Sequence, residues 1–333
     1  MTVDHSLLVL SRTQITGLLD PAASLESQRT AFARLAGGTA DLAPRLLLPG
    51  PDASVAFCYA SRLSPDSGAV CKFGSVNPGN AATGAPSVSA TVLVLDPASG
   101  TPLALLDGEA ITTARTAAAT ALAAGELARP DATRLAVLGS GVQGRAHLRA
   151  LTSHLGRRLT ELRIWSPRQK NRTDAAARLS DELRRPVVAA DTAEAAVTGA
   201  DIVITCTTSR TPVLDEAWLA PGATVLGVGS FAPDRCEVDD ALLRRASAVV
   251  VDDPPTAARQ AGPVVRALRN GILREEDLVG LGEVVLGRAR PRTDDDDIVF
   301  YNSVGVGVQD AALAELVLAH ARPRGAGSRI SLV

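Results

Sequence analysis

From residue 135 onward, continuous apolar runs alternate with segments whose apolar positions recur at helical spacing. The runs are LAVLG at 135–139, LRIW at 162–165, VVAA at 187–190, DIVITCT at 201–207, TVLGVG at 224–229 and AVVVDD at 248–253. They do not alternate apolar with polar, which fits strands covered on both faces, as in a parallel sheet. Helical patterns separate them: one reaching about residue 155, DAAARLSDELRR, and one ending at Gly199. The series predicts consecutive βαβ units.

The first 125 residues read differently. SVAFCYA, GAVCKFGSV, SVSATVLVLD and TPLALLD are short, strand-like and separated by the turn clusters SPDSG, NPGN and DPASG, the pattern of an antiparallel or mixed sheet. ITTARTAAATALAAGELARP predicts an Ala-rich helix ending near Pro130. Near the C-terminal end, a strand-like IVFYNSVG precedes an amphipathic helix in GVQDAALAELVLAHA, and the run Asp294 to Asp297 reads as a solvated loop before that strand. No internal repeat is visible. The chain of 333 residues therefore reads as an α/β protein of two domains. A Rossmann-type parallel-sheet domain is expected over 126–307, and an α+β domain over 1–125 together with 308–333.

Composition narrows the function. The 34 basic and 36 acidic residues nearly cancel, and no stretch concentrates Lys or Arg with aromatics, so a nucleic-acid surface has no electrostatic basis. A small-molecule partner is the natural expectation. No apolar run approaches the ~20 residues needed to span a bilayer, and MTVDHSLLVL has an Asp and no basic start, so no membrane partner and a cytoplasmic location are expected. Cys58, Cys71, Cys206 and Cys236 form no C-x-x-C pair and the four His are scattered, so neither a metal site nor a disulfide framework is expected; the cysteines read as buried apolar thiols.

Within the first parallel-type run, Gly139, Gly141 and Gly144 have the spacing G-x-G-x-x-G. The first glycine permits a sharp turn, the second lets a pyrophosphate approach the backbone and the third lets helix and strand pack closely. Val142 and Gln143 would open the helix whose free N–H groups and positive dipole end favour phosphate. By itself the motif suits a tight turn equally well; its place after the first strand and before the first helix favours a dinucleotide. An NAD-selecting unit usually carries Asp or Glu at the end of its second strand. Here that strand ends Trp165, Ser166, Pro167, Arg168, and no carboxylate appears before Asp174. A hydroxyl and a guanidinium at this turn suit a 2′-phosphate, so NADP(H) is favoured over NAD(H). Thr207, closing DIVITCT, is counted with the cofactor-binding residues.

KFGSVNPGN, LDPASGTPLALLDGEAITTARTAAATALAA, LAVLGSGVQGRAHL, GVGSFAPDRCEVD and SVGVGVQDAALAELV resemble, in that order, the ornithine cyclodeaminase and μ-crystallin family, over nearly the whole chain. The resemblance implies a homodimer with a substrate and dimerisation domain beside a Rossmann domain. It also implies activities among cyclodeaminases, alanine dehydrogenases, ketimine and imino-acid reductases and diaminopropionate synthases. Lys72 aligns with the family's active-site lysine, Arg115 with the arginine that binds the substrate carboxylate, and Arg45 with its second arginine. Ser87 falls where the family has a hydroxyl near the nicotinamide, and Val304 and Gly305 correspond to backbone that closes over the cofactor. These residue types suit such chemistry, since two guanidiniums can clamp an α-carboxylate. Neighbouring cations also favour a neutral lysine tuned for proton transfer.

Two positions depart from the cyclodeaminases. Where they carry an Asp that assists cyclisation, this chain has Phe231, counted here as a substrate-binding residue; Asp234 reads as a structural residue. Where they carry a glutamate near the distal amine, this chain has Phe57, Cys58 and Tyr59. A cationic substrate tail would be unpaired, which is costly. The expectation is therefore an NAD(P)H-dependent reductase of a small 2-imino or 2-keto acid or cyclic imine, or the reverse amino-acid dehydrogenase. The alternatives are a divergent cyclodeaminase, a diaminopropionate-type synthase, or a cofactor-dependent ligand-binding protein of the μ-crystallin kind.

Overall fold

A computed structural model describes residues 6–82, 85–86 and 88–331. The chain forms two compact units, 1–115 with 306–333, and 116–305. The expected boundaries, 125/126 and 307/308, lie ten and two residues beyond these, because the division falls inside the long helix Gly108–Leu127 rather than at its end.

The first unit is built on a mixed sheet. Its strands are β1 (Ser6–Leu10), β2 (Asp41–Leu42), β3 (Leu46–Pro49), β4 (Val55–Arg62), β5 (Val70–Val76), β6 (Val88–Leu95), β7 (Pro102–Asp107) and, at the end of the chain, β16 (Ser328–Ser331). They are ordered β16-β1-β7-β6-β5-β4-β2, with β3 paired to β4. The β4 to β7 run is antiparallel and β1 joins β7 in parallel. The four strand-like segments of the sequence are thus β4 to β7. The sequence pattern did not show β1, β3, β16 or the helix Pro21–Ala36, which starts on an Asp20 cap with Pro at its first position. The helix Gly307–Ala321 is buried along most of its length and packs against Pro21–Ala36 and across β4 and β5.

The second unit is a parallel sheet flanked by helices. Its strands are β8 (Arg134–Leu138), β9 (Glu161–Trp165), β10 (Val188–Ala189), β11 (Ile202–Thr205), β12 (Thr224–Gly227), β13 (Ala248–Val251), β14 (Leu278–Gly280) and β15 (Val299–Asn302). The order is β10-β9-β8-β11-β12-β15-β13-β14, and every pairing is parallel. β8, β11, β12 and β15 are buried at nearly every position, the physical origin of their uninterrupted apolar sequence. The order reverses between β8 and β11, which creates a crevice at their carboxyl ends, where open α/β sheets bind ligands. Asp294 to Asp296 are exposed in the loop before β15, as the sequence indicates.

Candidate active site

The first cluster of chemical groups lies in the mixed-sheet unit. On β5, side chains alternate between faces, so Val70 and Lys72 are buried while Phe73 is exposed. Two glycines bring the elements together there. A Cβ on Gly74 would meet the Ser89 carbonyl oxygen at 2.3 Å, and one on Gly108 would meet the Ala90 carbonyl carbon at 2.6 Å. The helix Gly108–Leu127 therefore starts hard against β6, with Asp107 accepting from the Ala110 N–H at 2.7 Å as its cap. Thr112 and Arg115, three residues apart, share a face of this helix.

Lys72 Nζ lies 2.7 Å from Asp310 Oδ2 and donates to the Thr112 hydroxyl at 3.3 Å. Arg115 Nε lies 3.4 Å from the other oxygen of Asp310, and Arg115 Nη1 donates to Gln309 Oε1 at 3.2 Å. Gln309 Oε1 also accepts from the Val306 N–H at 2.9 Å, fixing the first turn of the last helix. Arg45 stacks on the Tyr59 ring, its guanidinium carbon 4.4 Å from the centroid, and Lys72 Nζ lies 4.9 Å from the same centroid. Tyr59 stacks on Phe57, with centroids 5.1 Å apart.

Lys72, Arg115 and Asp310 are 3, 6 and 2 % exposed, so the electrostatics are those of a desolvated site. Burial pushes the Lys72 ammonium down to about 8, with Arg115 and Arg45 adding to the effect and Asp310 opposing it. Burial raises the Tyr59 phenol, against the pull of Arg45. Among the described residues, Lys72, Arg115 and Arg45 gather around Asp310. Two guanidiniums in a desolvated site suit a carboxylate, and a lysine that changes charge near neutrality suits proton transfer.

The structure thus brings Lys72, Arg115 and Arg45 into one cluster. Sequence reasoning missed Asp310, Gln309 and Thr112. Asp310 had a visible signal: a carboxylate next to the apolar run AALA, in a helix with few polar positions, is costly if buried unpaired. Phe57 is buried and Tyr59 half-buried, and neither brings a carboxylate. Ser87 lies outside the described residues.

The second cluster sits at the carboxyl end of the parallel sheet. Gly139 has φ +124, and a Cβ on it would meet the Cys206 carbonyl oxygen at 2.6 Å. A Cβ on Gly144 would lie 1.8 Å from the Gly139 carbonyl oxygen, whereas one on Gly141 meets nothing within 4 Å. The first and third glycines are thus required by the fold, and the second faces open space. That is the cradle a pyrophosphate needs at the start of the helix Val142–Leu155. Val142 is exposed there, and Gln143 Oε1 is buried with no hydrogen-bond partner among the described residues. At the end of β9 the buried Ser166 hydroxyl bonds to that of Ser140 at 2.8 Å, and Arg168 is exposed at the cap of the helix Gln169–Leu183.

Two buried carboxylates brace the loops beyond the strands. Glu237, whose acidity burial weakens, accepts from the Thr207 N–H at 2.5 Å, the Gly229 N–H at 2.7 Å and the Thr205 hydroxyl at 2.9 Å. Asp252 accepts from the Val304 N–H at 2.8 Å, the Gly305 N–H at 2.6 Å, the Ser303 hydroxyl at 3.1 Å and the Tyr301 hydroxyl. The N–H groups of Val304 and Gly305 are therefore committed to Asp252. Phe231 packs on the core of this unit with the Arg235 guanidinium 4.5 Å over its ring, and Asp234 pairs with Arg210 at 3.1 Å.

No group of three or more His, Cys, Asp or Glu among the described residues is arranged to hold a metal ion, and no described helix is long and apolar enough to cross a membrane. Of the cysteines only Cys236 is buried; the other three are half-buried, with Cys58 and Cys71 sulfurs 3.3 Å apart across β4 and β5. The expectation of four buried thiols is corrected accordingly, because three of them sit on partly covered strand positions and strand ends.

A sequence model of the Ornithine cyclodeaminase/mu-crystallin family matches residues 5–324. The chain belongs to this family. It is 38 % identical over 258 residues, 76 % of this chain and 77 % of the relative, to an uncharacterized cyclodeaminase of Sinorhizobium fredii. It is 36 % identical over 240 residues, 72 % of each chain, to the ketimine reductase mu-crystallin of Mus musculus. Among solved structures, the Thermococcus litoralis Delta(1)-pyrroline-2-carboxylate reductase in complex with NADH and L-proline superposes with a TM-score of 0.93 at 30 % identity, covering 97 % of this chain and 100 % of that one. An archaeal alanine dehydrogenase dimer with bound NAD superposes at 0.92 with 27 % identity, covering 98 % and 100 %.

Proposed function

We propose that the protein is an NAD(P)H-dependent oxidoreductase that reduces a small 2-imino or 2-keto acid, or a cyclic imine, at its α-carbon, or runs the reverse amino-acid dehydrogenation. The observation that carries this reading is the buried Lys72–Asp310–Arg115 cluster. Arg115 and Arg45 clamp the substrate carboxylate. Lys72 gives a proton to the α-nitrogen or carbonyl oxygen as the bond is reduced, and takes it back in the other direction. Asp310 holds the lysine nitrogen in place and limits how far its pKa falls. Gly139, Gly141 and Gly144 would hold the pyrophosphate of the dinucleotide, and its dihydronicotinamide, when bound, would supply the hydride. The solved relatives bound to NADH with L-proline and to NAD support this assignment.

The side chain of the substrate is small or apolar. Asp310 is the carboxylate that the cluster contains, and two cations already engage it. Phe231 and the Phe57 to Tyr59 segment offer no acid to a cationic tail, which argues against cyclisation of ornithine or lysine. NADP(H) is the favoured cofactor, on the strength of Ser166 and Arg168 and the absence of a carboxylate at that turn. The reading includes a homodimer, supported by the dimeric alanine dehydrogenase and by exposed Leu46, Leu47, Leu48 and Phe73 on the mixed sheet, and a cytoplasmic location.

The decisive assay is oxidation of NADPH and NADH against 2-keto acids with ammonia or methylamine and against pyrroline-2-carboxylate and piperideine-2-carboxylate. Turnover that disappears in Lys72→Ala is the expected result. Cofactor binding without turnover on any of these compounds would refute the reductase.

A further inference from the structure

Between the helices Val142–Leu155 and Gln169–Leu183 lies a cavity of about 290 Å³ lined by Ser140, Gly141, Arg145, Asn171, Asp174 and Arg178. Asn171, Asp174 and Arg178 form one stripe of the second helix, and long helical side chains lean toward the N-terminus. Arg178 therefore leans toward the turn that carries Ser166 and Arg168. Arg145 Nη1 donates to the Ser140 carbonyl at 2.7 Å, which holds its guanidinium beside the glycine loop. The Ser140–Ser166 hydroxyl contact ties that loop to the same turn.

The charges around the cavity do not balance. The facing helix surfaces carry Arg145, Arg149, Lys170 and Arg178 against Asp174 and Glu182. Glu182 is taken by Arg149 at 2.6 Å and Asp174 by Lys170 at 2.7 Å. Neither Arg145 nor Arg178 has a carboxylate within ion-pair distance among the described residues. Burial lowers the Arg145 pKa from its ordinary value, and the like charges of Arg149 and Arg178 lower it further against Glu182. Glu182 acts on both Arg145 and Arg178, and Asp174 on Arg178, at longer range, but these two carboxylates face four cations, and that excess of positive charge, on a partly desolvated Arg145, makes a site for a doubly charged oxyanion.

We propose that this cavity takes the 2′-phosphate of NADP(H), with Arg145 and Arg178 as its ligands, so that cofactor choice rests on both helices and not on Arg168 alone. The proposal rests on the NADP reading above. It makes Arg178 a specificity-determining residue ten positions beyond the turn where selectivity is ordinarily read.

Calorimetric titration of the full chain with NADPH and with NADH tests it. Arg178 is exposed, so Arg178→Glu and Arg178→Ala leave the fold intact, checked by an unchanged Tm. The expected result is an NADPH Kd raised roughly tenfold or more in Arg178→Glu, less in Arg178→Ala, with the NADH Kd within about twofold of the parent. If Arg178→Glu leaves both Kd values unchanged while Arg168→Ala weakens NADPH, the cavity assignment falls and the NADP reading stands. A parent protein that binds NADH as tightly as NADPH overturns both.

Discussion

Asp310 Oδ2 sits 2.7 Å from Lys72 Nζ, with both side chains almost wholly buried and the second oxygen of Asp310 3.4 Å from Arg115 Nε. One carboxylate therefore serves two buried cations. Asp310→Asn leaves both without their counter-charge, and breaking such a pair costs about 3–5 kcal/mol of stability. It also removes the influence that holds the Lys72 pKa up. The basic limb of the pH–rate profile should shift toward acid and kcat should fall by at least about tenfold. A variant with the parent profile would show that Asp310 does not govern the lysine.

The direction of the pH dependence follows from Lys72, whose pKa stands at about 8. In the reductive direction the ammonium is the proton donor, so kcat/KM should hold below that value and decline as pH rises through it. In the oxidative direction the neutral amine is needed, and the rate should rise over the same interval. Arg45→Ala removes a neighbouring positive charge and should move both limbs toward base. Profiles of kcat/KM in both directions check this; limbs that run the same way in both would contradict it.

Arg115 combines a nearly complete burial with a fixed orientation, held by Gln309 and Asp310. Arg115→Lys keeps the charge and loses the planar fork. Loss of a charge-assisted hydrogen bond costs about 1.5–3 kcal/mol, so kcat/KM for the carboxylate substrate should drop roughly 10- to 100-fold. The NADPH Kd, measured without substrate, should stay where it was.

The glycines separate fold from binding. Gly144→Ala places a Cβ 1.8 Å from the Gly139 carbonyl and should lower stability by about 1–3 kcal/mol. Gly141→Ala meets open space and should leave the Tm nearly unchanged while weakening the dinucleotide. Thermal melts beside cofactor titrations distinguish the two. Equal damage to Tm in both variants would speak against a pyrophosphate site at Gly141.

Asp252 accepts from four donors of the 301–305 segment. Asp252→Ala would leave buried N–H and O–H groups unsatisfied, at about 1–3 kcal/mol for a single group. Urea unfolding should show a loss of about 3 kcal/mol or more, and Asp252→Asn should recover part of it through its remaining carbonyl oxygen.

The parallel sheet was readable from LAVLG, DIVITCT and TVLGVG because strands buried on both faces must be apolar throughout. The glycine spacing was readable because backbone conformation and close approach admit no other residue, as the φ of Gly139 and the contact at Gly144 show. Lys72, Arg115 and Arg45 were named through the family resemblance, and the cluster gathers all three. What local pattern did not contain is pairing over distance. The insertion of β15 between β12 and β13 depends on register across the sheet, which no periodicity encodes. Lys72 and Asp310 stand 238 positions apart in the chain and meet only because the last helix returns across β4 and β5. The sequence by itself determined which residue types were available for carboxylate binding and proton transfer. Only the tertiary structure decided that a buried aspartate would join them, because the desolvation that sets the lysine's pKa arises when distant segments exclude water together.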